Sequence, residues 1–365
     1  MAAPGITLDQ LREVFNANRS RYLASYQETQ SQKDYPITRR TMMTAKTEDA
    51  SHTTEWTIRR KAATGSVQAV NAYEDVEGVR DEYDCSLSIK PSHFVTHKER
   101  VFSALATIFS KNSKDQLWQD FKMKQSSAEE NWWKHWEYKV WNVPTSVTAK
   151  DAYLGWLYWL PRSMTSGGVF VEQLRPARNG VYVRLADGSL TSTVAGQDRA
   201  SAANAKLRGL CFTHRSKFDE NLLNSLEDAV IESKVKYIPT LEGETSDQTD
   251  VEIFWDEYFD RDYNRALNKR SAPDRRDWFG GGAKTLANCN TVPCEALNGH
   301  ALRPIFGIRH SNMHLIKYDG NWGREMEKYD GIDVLSKFKG WSAQGRAMEP
   351  STCGFLGHGS FTTGT

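Results

Sequence analysis

The sequence predicts an α+β fold, and three observations carry that expectation. Short stretches alternate apolar and polar residues with a period of two, as at Tyr83, Cys85, Leu87 and Ile89, which is the pattern of a half-buried strand. Other stretches place apolar residues at helical spacing, as at Leu222, Leu223, Leu226 and Val230. The two kinds of segment are loosely segregated along the chain, as in α+β proteins.

The chain has 365 residues and a mass of 41.5 kDa, enough for a sizeable core and a prior for two or three domains. At 39% hydrophobic and 25% charged residues, its composition is that of a folded chain. The 47 basic residues nearly balance the 46 acidic ones, for a formal charge of +1, so the basic surplus of a duplex-binding protein is missing. No basic stretch followed by an apolar run opens the chain at Met1–Leu8, so no secretory signal is expected. The longest greasy stretch, Tyr153–Leu160, falls far short of the ~20 residues that span a bilayer. Five scattered cysteines (Cys85, Cys211, Cys289, Cys294 and Cys353) suit a reducing compartment better than a disulfide framework.

Residues 7–27 read as an amphipathic helix opened by the capping box Thr7 and Gln10. Strands are expected around Trp56 and Ile58 and over Tyr83–Ile89, joined by the polar, Gly-punctuated stretch Arg59–Glu82. Such a two-stranded excursion is marginal alone in water and needs a neighbouring subunit to hold it. A long helix or two helices are expected over 96–142. Thr96 and Glu99 would cap the first, and Trp132, Trp133, Trp136, Val140 and Trp141 would precede the stop at Pro144. Val181, Val183 and Leu185 alternate ahead of a hairpin signal at Asp187-Gly188. Helices are expected over 219–233 and 250–268, and strand-like runs at Val235–Leu241, Leu302–Ile308 and Met313–Tyr318. Cys353–Thr365 reads as an uncharged, Gly-rich tail.

Each candidate for chemistry has a plainer alternative. Gly280–Thr285 has the flavour of a phosphate loop, but Ala283 and Trp278 stand where glycine is required, so a turn is expected. His93 with His97 and His310 with His314 have ligand spacing, but Phe94 and Ser311 occupy the position of a zinc hydrolase's glutamate base. Cys289 and Cys294 lack a second pair. Asp256 and Asp260, set among Trp255, Tyr258 and Phe259, could be the carboxylate pair of a glycoside hydrolase, against the solvated face of an amphipathic helix. The tryptophan stripe could bind sugar or bases, against a core or subunit-contact role. No Gly-x-Ser-x-Gly elbow occurs. The expectation is no catalytic, cofactor or metal residue.

The order of elements resembles the major capsid proteins of tailed bacteriophages, the Hong Kong ninety-seven-like fold. Local resemblance lies in Asp151–Leu157 closed by Gly167-Gly168, in Asn221–Ala229, in Trp278–Asn298 and in Pro304–Ile308. The resemblance implies an N-terminal arm (1–49), an extended E-loop hairpin (50–95) and a peripheral domain with a long spine helix (96–165). An axial domain (166–300) and a return to the peripheral domain with a C-terminal tail (301–365) would follow. It implies a structural protein, not an enzyme, that self-assembles into hexamers and pentamers forming an icosahedral head around double-stranded DNA, which it encloses without strong sequence-specific binding. The implied partners are copies of itself, a separate scaffolding protein, a portal protein and a decoration protein. The implied location is the virion, after synthesis in the bacterial cytoplasm, with no membrane. The helix at 127–142 is more aromatic than such a spine usually is. The alternatives are a carbohydrate-active hydrolase using Asp256 and Asp260, and another virion structural protein.

Overall fold

The computed structural model of the chain describes residues 35–43, 45–48, 56–59, 86–89, 95–103, 127, 130–146, 153–162, 176–215, 218–233, 251–270, 285–286, 289–318, 322, 324–329, 335–347 and 353–359. The expected helix at 7–27, the strand Val235–Leu241 and most of the 280–285 turn lie outside them. The helices are α1 (Pro36–Met43), α2 (130–141), α3 (Trp156–Trp159), α4 (Glu220–Ser233) and α5 (Glu257–Arg270). The strands are β1 (Lys46–Glu48), β2 (Trp56–Arg59), β3 (Ser86–Ile89), β4 (Val95–Ser103), β5 (Ala177–Gly180), β6 (Val183–Arg184), β7 (Leu190–Thr191), β8 (Thr193–Val194) and β9 (Gln197–Asp198). They continue with β10 (Gly209–His214), β11 (Val251–Trp255), β12 (Thr285–Leu286), β13 (Cys289–Pro293), β14 (Ile305–Arg309), β15 (Met313–Tyr318), β16 (Arg324–Tyr329), β17 (Leu335–Ala347) and β18 (Gly354–Gly359).

Seven strands form the main sheet, in the order β12-β13-β11-β14-β18-β10-β5. Its central strands are apolar on both faces. Ile253, Trp255, Ile305, Phe355, Leu210 and Phe212 enter one core with α4 and α5. Phe254, Phe306, Ile308, Leu356 and Cys211 enter a second core with the tryptophans of α2. Neighbours in sequence point to opposite faces of a strand, so a continuous apolar run fills two cores at once. Each large side chain so buried stabilises by roughly 1.5–3 kcal/mol.

This double burial corrects the expected helix over 250–268. Val251–Trp255 is a fully buried strand between β13 and β14, and the helix starts only at Glu257. Asp256 makes the break by accepting the Phe259 amide at 2.5 Å, an N-cap bond that satisfies one orphan donor of the first turn. The expected helix over 219–233 is present, with Leu222, Leu223, Leu226 and Val230 buried and Asp219 accepting the Leu222 amide at 2.8 Å. The hairpin at Asp187-Gly188 also forms, pairing β6 with β7, and Gly188 takes the left-handed conformation at φ 86°.

Cys353–Gly359 is no loose tail. β18 lies between β14 and β10, buried along its length. Glycines of β18 and of its neighbour β14 let large rings cross: a Cβ on Gly357 would meet the Phe212 ring at 2.5 Å, and one on Gly307 of β14 would meet the Phe355 ring at 2.1 Å. The sheet also takes strands from both sides of the expected division at 300, since β11 and β14 pair directly.

The second sheet is built on the thirteen-residue β17. β15 and β16 pair along one of its edges and β4 along the other, with β1 added parallel to β15. The helix expected to start at Thr96 is therefore a strand over 95–103. The capping-box pattern fits locally, but β4 pairs with β17 from Val95↔Ala343 to Ser103↔Ser336. That ladder satisfies its backbone, and Val95, Thr96, Val101 and Phe102 are favourable strand residues. Residues 104–126 are outside the described set.

α2 confirms the tryptophan-rich helix as an element, and it is a core element. Trp132, Trp136, Val140 and Trp141 are buried together with Tyr153–Leu160, which carries α3. The same core reaches Met313, Leu315, Ala343 and Ala347 of the second sheet, so it joins both sheets. Among the described residues no helix is long and apolar enough to cross a membrane. Gly155 lets the 153–160 segment touch the end of α2: a Cβ there would lie 2.3 Å from the Asn142 carbonyl oxygen and 2.4 Å from that of Val140. Gly155→Ala should therefore lower unfolding stability by about 1–3 kcal/mol through overpacking, read as a reduced midpoint in urea with an unchanged slope.

Candidate functional site

The sequence offers Asp256 and Asp260 as its best catalytic pair, and the structure gives them other work. Asp256 is 1% exposed, not part of a solvated face. One oxygen caps α5 through the Phe259 amide, and both bind the Arg303 guanidinium, at 2.8 and 3.1 Å. Arg303 also stacks on the Phe259 ring at 3.9 Å, a cation–π contact, so the fork is held from two sides. Asp260, on the next turn, accepts the Asn264 amide at 3.2 Å. A carboxylate whose oxygens are consumed by a cap and a bidentate arginine is structural.

The remaining motifs are similarly placed. His310 and His314 are buried, and His310 Nε2 contacts Glu252 at 2.9 Å. His97 lies in β4, and His93 is outside the described residues. Cys289 and Cys294 are buried in different cores, and the Cys294 amide donates to Trp255 O at 2.9 Å. Among the described residues no group of three ligating side chains could hold a metal. Trp132, Trp136 and Trp141 are core residues, with Trp133 packed against them.

Two features stand apart from these motifs. The first is the N-terminal segment, whose attachment the sequence reading missed. The buried Glu137 of α2 accepts the Thr38 amide at 2.8 Å and its hydroxyl at 2.6 Å, and the Trp141 indole at 3.3 Å. It thereby caps the first turn of α1 from a distant part of the chain. Burial raises the Glu137 pKa, with the Thr38 and Trp141 donors pulling the other way. Arg40 adds an ion pair to Glu252 at 2.6 Å. Burial works against the Glu252 charge, but His310 and Arg40 outweigh it and hold the pKa low. Ile37 is fully buried, and β1 extends the second sheet.

The second feature is the strand pair β2–β3. The strands pair antiparallel in the register Trp56↔Ile89 and Ile58↔Leu87, and neither hydrogen-bonds to any other described strand. The expected two-stranded unit is therefore present; its connecting segment lies outside the described residues.

The end of the main sheet holds two further buried histidines. His214 Nε2 donates to Arg303 O at 3.1 Å, and burial lowers its pKa to about 4. Burial lowers that of His358 to about 3. Both are neutral when folded and accept a proton near pH 6.5 when unfolded.

Solved structures share this chain path. The asymmetric unit of the cyanophage A-1(L) capsid matches with a TM-score of 0.51 and 10% identity, over 88% of this chain and 92% of that one. The capsid of the empty GTA particle matches with a TM-score of 0.50 and 9% identity, over 95% and 98%. No family model and no curated protein matches the sequence.

Two predictions follow from the buried polar groups. Asp256→Asn should cost about 2 kcal/mol, because it leaves Arg303 facing a neutral amide, whereas Asp260→Asn should cost about 0.5 kcal/mol through the helix dipole; denaturant titration of both variants checks the contrast. Between pH 6.5 and 4 the unfolded chain binds protons that folded His214 and His358 refuse. Stability should thus fall on acidification, by at most about 1.4 kcal/mol per pH unit for each histidine, and His358→Gln should flatten that slope in unfolding curves. With 88–95% of its length following those structures, the protein has the Hong Kong ninety-seven-like fold of phage capsid structures.

Proposed function

We propose that the protein is a major capsid protein, a structural subunit that self-assembles into hexamers and pentamers and closes them into an icosahedral head around double-stranded DNA. The observation that carries this reading is the β2–β3 pair, hydrogen-bonded to neither large sheet, in a chain that follows a capsid fold over 88% of its length. An isolated two-stranded unit is marginal in water, and lying on a sister subunit would stabilise it. Interfaces of roughly 1,600 Å² repeated around a subunit hold a shell without any single tight contact. The anchoring of α1 and β1 supports a role for residues 1–49 as an arm, because it fixes where the preceding chain leaves the core.

In this reading 50–95 is the E-loop, α2 belongs to the spine of the peripheral domain, and the main-sheet strands within 166–300 belong to the axial domain. A separate scaffolding protein, a portal protein and a decoration protein would be partners, and the virion its location. The near-neutral chain encloses DNA without holding it tightly, and no turnover chemistry is involved. The commitment of Asp256 to Arg303 and to the α5 cap weighs against the glycoside hydrolase alternative.

Negative-stain microscopy of the purified protein should show capsomers or hollow shells. Deleting residues 60–82 should leave the folded subunit's circular dichroism intact and abolish those shells. Normal shells from the deletion would refute the E-loop assignment, and a monodisperse monomer at high concentration would refute the capsid reading.

A further inference from the structure

Helices α4 and α5 cover the same core on one face of the main sheet, and each leaves its opposite face to solvent. Ile231 of α4 is 59% exposed and Tyr258 of α5 is 54% exposed, more than any other large apolar side chain among the described residues. A single exposed apolar residue is ordinary. Each of these, however, sits inside a stripe of charge, and the two stripes differ in sign. The outward stripe of α4 runs through Asn224, Asp228 and Ile231 at helical spacing, with Glu220 and Glu232 exposed at its two ends. No lysine or arginine occurs in that helix. The outward stripe of α5 is Tyr258, Arg261 and Arg265. The Arg261 guanidinium lies 5.4 Å from the centre of the Tyr258 ring, and Arg261 and Arg265 share one carboxylate, Asp262, each at 3.6 Å. This stripe therefore keeps an excess of positive charge. Glu257 is exposed too, but its carboxylate accepts the Asn298 amide at 2.8 Å.

An acidic stripe with a protruding isoleucine complements a basic stripe with a stacked tyrosine and arginine, and Tyr and Arg are residues that interfaces favour. Both stripes point away from the shared core, so each is open to another molecule. We propose that the outward face of α4 is the docking surface for the outward face of α5 in a second copy of this chain. The inference rests on the capsid reading and names which surfaces meet when subunits join. Opposite charge steers the approach and fixes the register, while the like-charged pairings, α4 on α4 and α5 on α5, are disfavoured. The contact is heterologous: it joins two different patches, leaves one of each open on every joined pair, and so continues until a ring closes.

The test is sedimentation velocity of the full-length protein over a concentration series. Asp228→Lys and Arg261→Glu, both at exposed positions, should each raise the concentration at which rings form by about tenfold or more, with circular dichroism unchanged. The two substitutions combined exchange the charges and should bring that concentration back to within about threefold of the wild type. Ile231→Ser, which leaves the charges alone, should raise it by about threefold or more. The proposal is overturned if the folded single variants assemble as the wild type does, if the combined variant assembles no better than its parents, or if the wild type stops at a dimer. The first two outcomes leave the capsid reading standing, whereas a wild-type protein that stays a monomer at every concentration refutes that reading and this proposal together.

Discussion

The architecture depends on one constraint: the main sheet buries both faces, so its central strands must carry apolar residues on both sides and still pack closely. β11, β14, β18 and β10 meet it with large rings beside glycines. Phe355 lies over Gly307 and Phe212 over Gly357, with the two rings 6.2 Å apart. A side chain at either glycine would have to displace a phenylalanine, so the succession of rings crosses the sheet at the level of the backbone. One face then receives α4 and α5, and the other receives the tryptophan layer that continues to the second sheet.

Several polar groups inside this assembly are paired across long sequence distances. Asp256 answers Arg303, Glu252 answers Arg40 and His310, and Glu137 answers Thr38 and Trp141. A buried pair of this kind adds little net stability, because desolvation offsets the attraction, but losing one partner is costly. Its effect is therefore on geometry. The turn at 300–303 is locked to α5 although Arg303 takes a left-handed φ of 41°, and α1 is locked to α2 although α1 has only eight residues and would be marginal alone. The described N-terminal residues 35–48 are thus held at a defined place on the core.

Periodicity read correctly where one face alone is buried and partners are close in sequence. That holds for α4, with its stripe of Leu222, Leu226 and Val230, and for the β6–β7 hairpin at Asp187-Gly188. It read β2 and β3 correctly, because their alternation is clean. It failed at 251–255, where burial on both faces removes alternation and leaves an apolar run that fits helix or strand. It failed at 96–103, where a valid capping pattern lost to pairing with β17, and at 353–359, where glycines that suggest a loose tail are the condition for strand packing. None of the ion pairs and caps that anchor α1 was legible. A lone Glu137 or Glu252 in sequence carries no mark of the residue it will meet.

By itself, then, the amino-acid order determined the class of fold, the pairing partners β2 and β3, the apolar helical faces and the want of a recognisable catalytic motif, because each is written in local composition and spacing. Only the tertiary structure decided that Asp256 is a buried cap and not a surface charge, that the tryptophans of α2 form a core joining two sheets, and that the C-terminal glycines lie at the centre of the main sheet. The physical reason is the same in each case. Burial and charge pairing depend on which distant segments meet, and that information resides in no single stretch of chain.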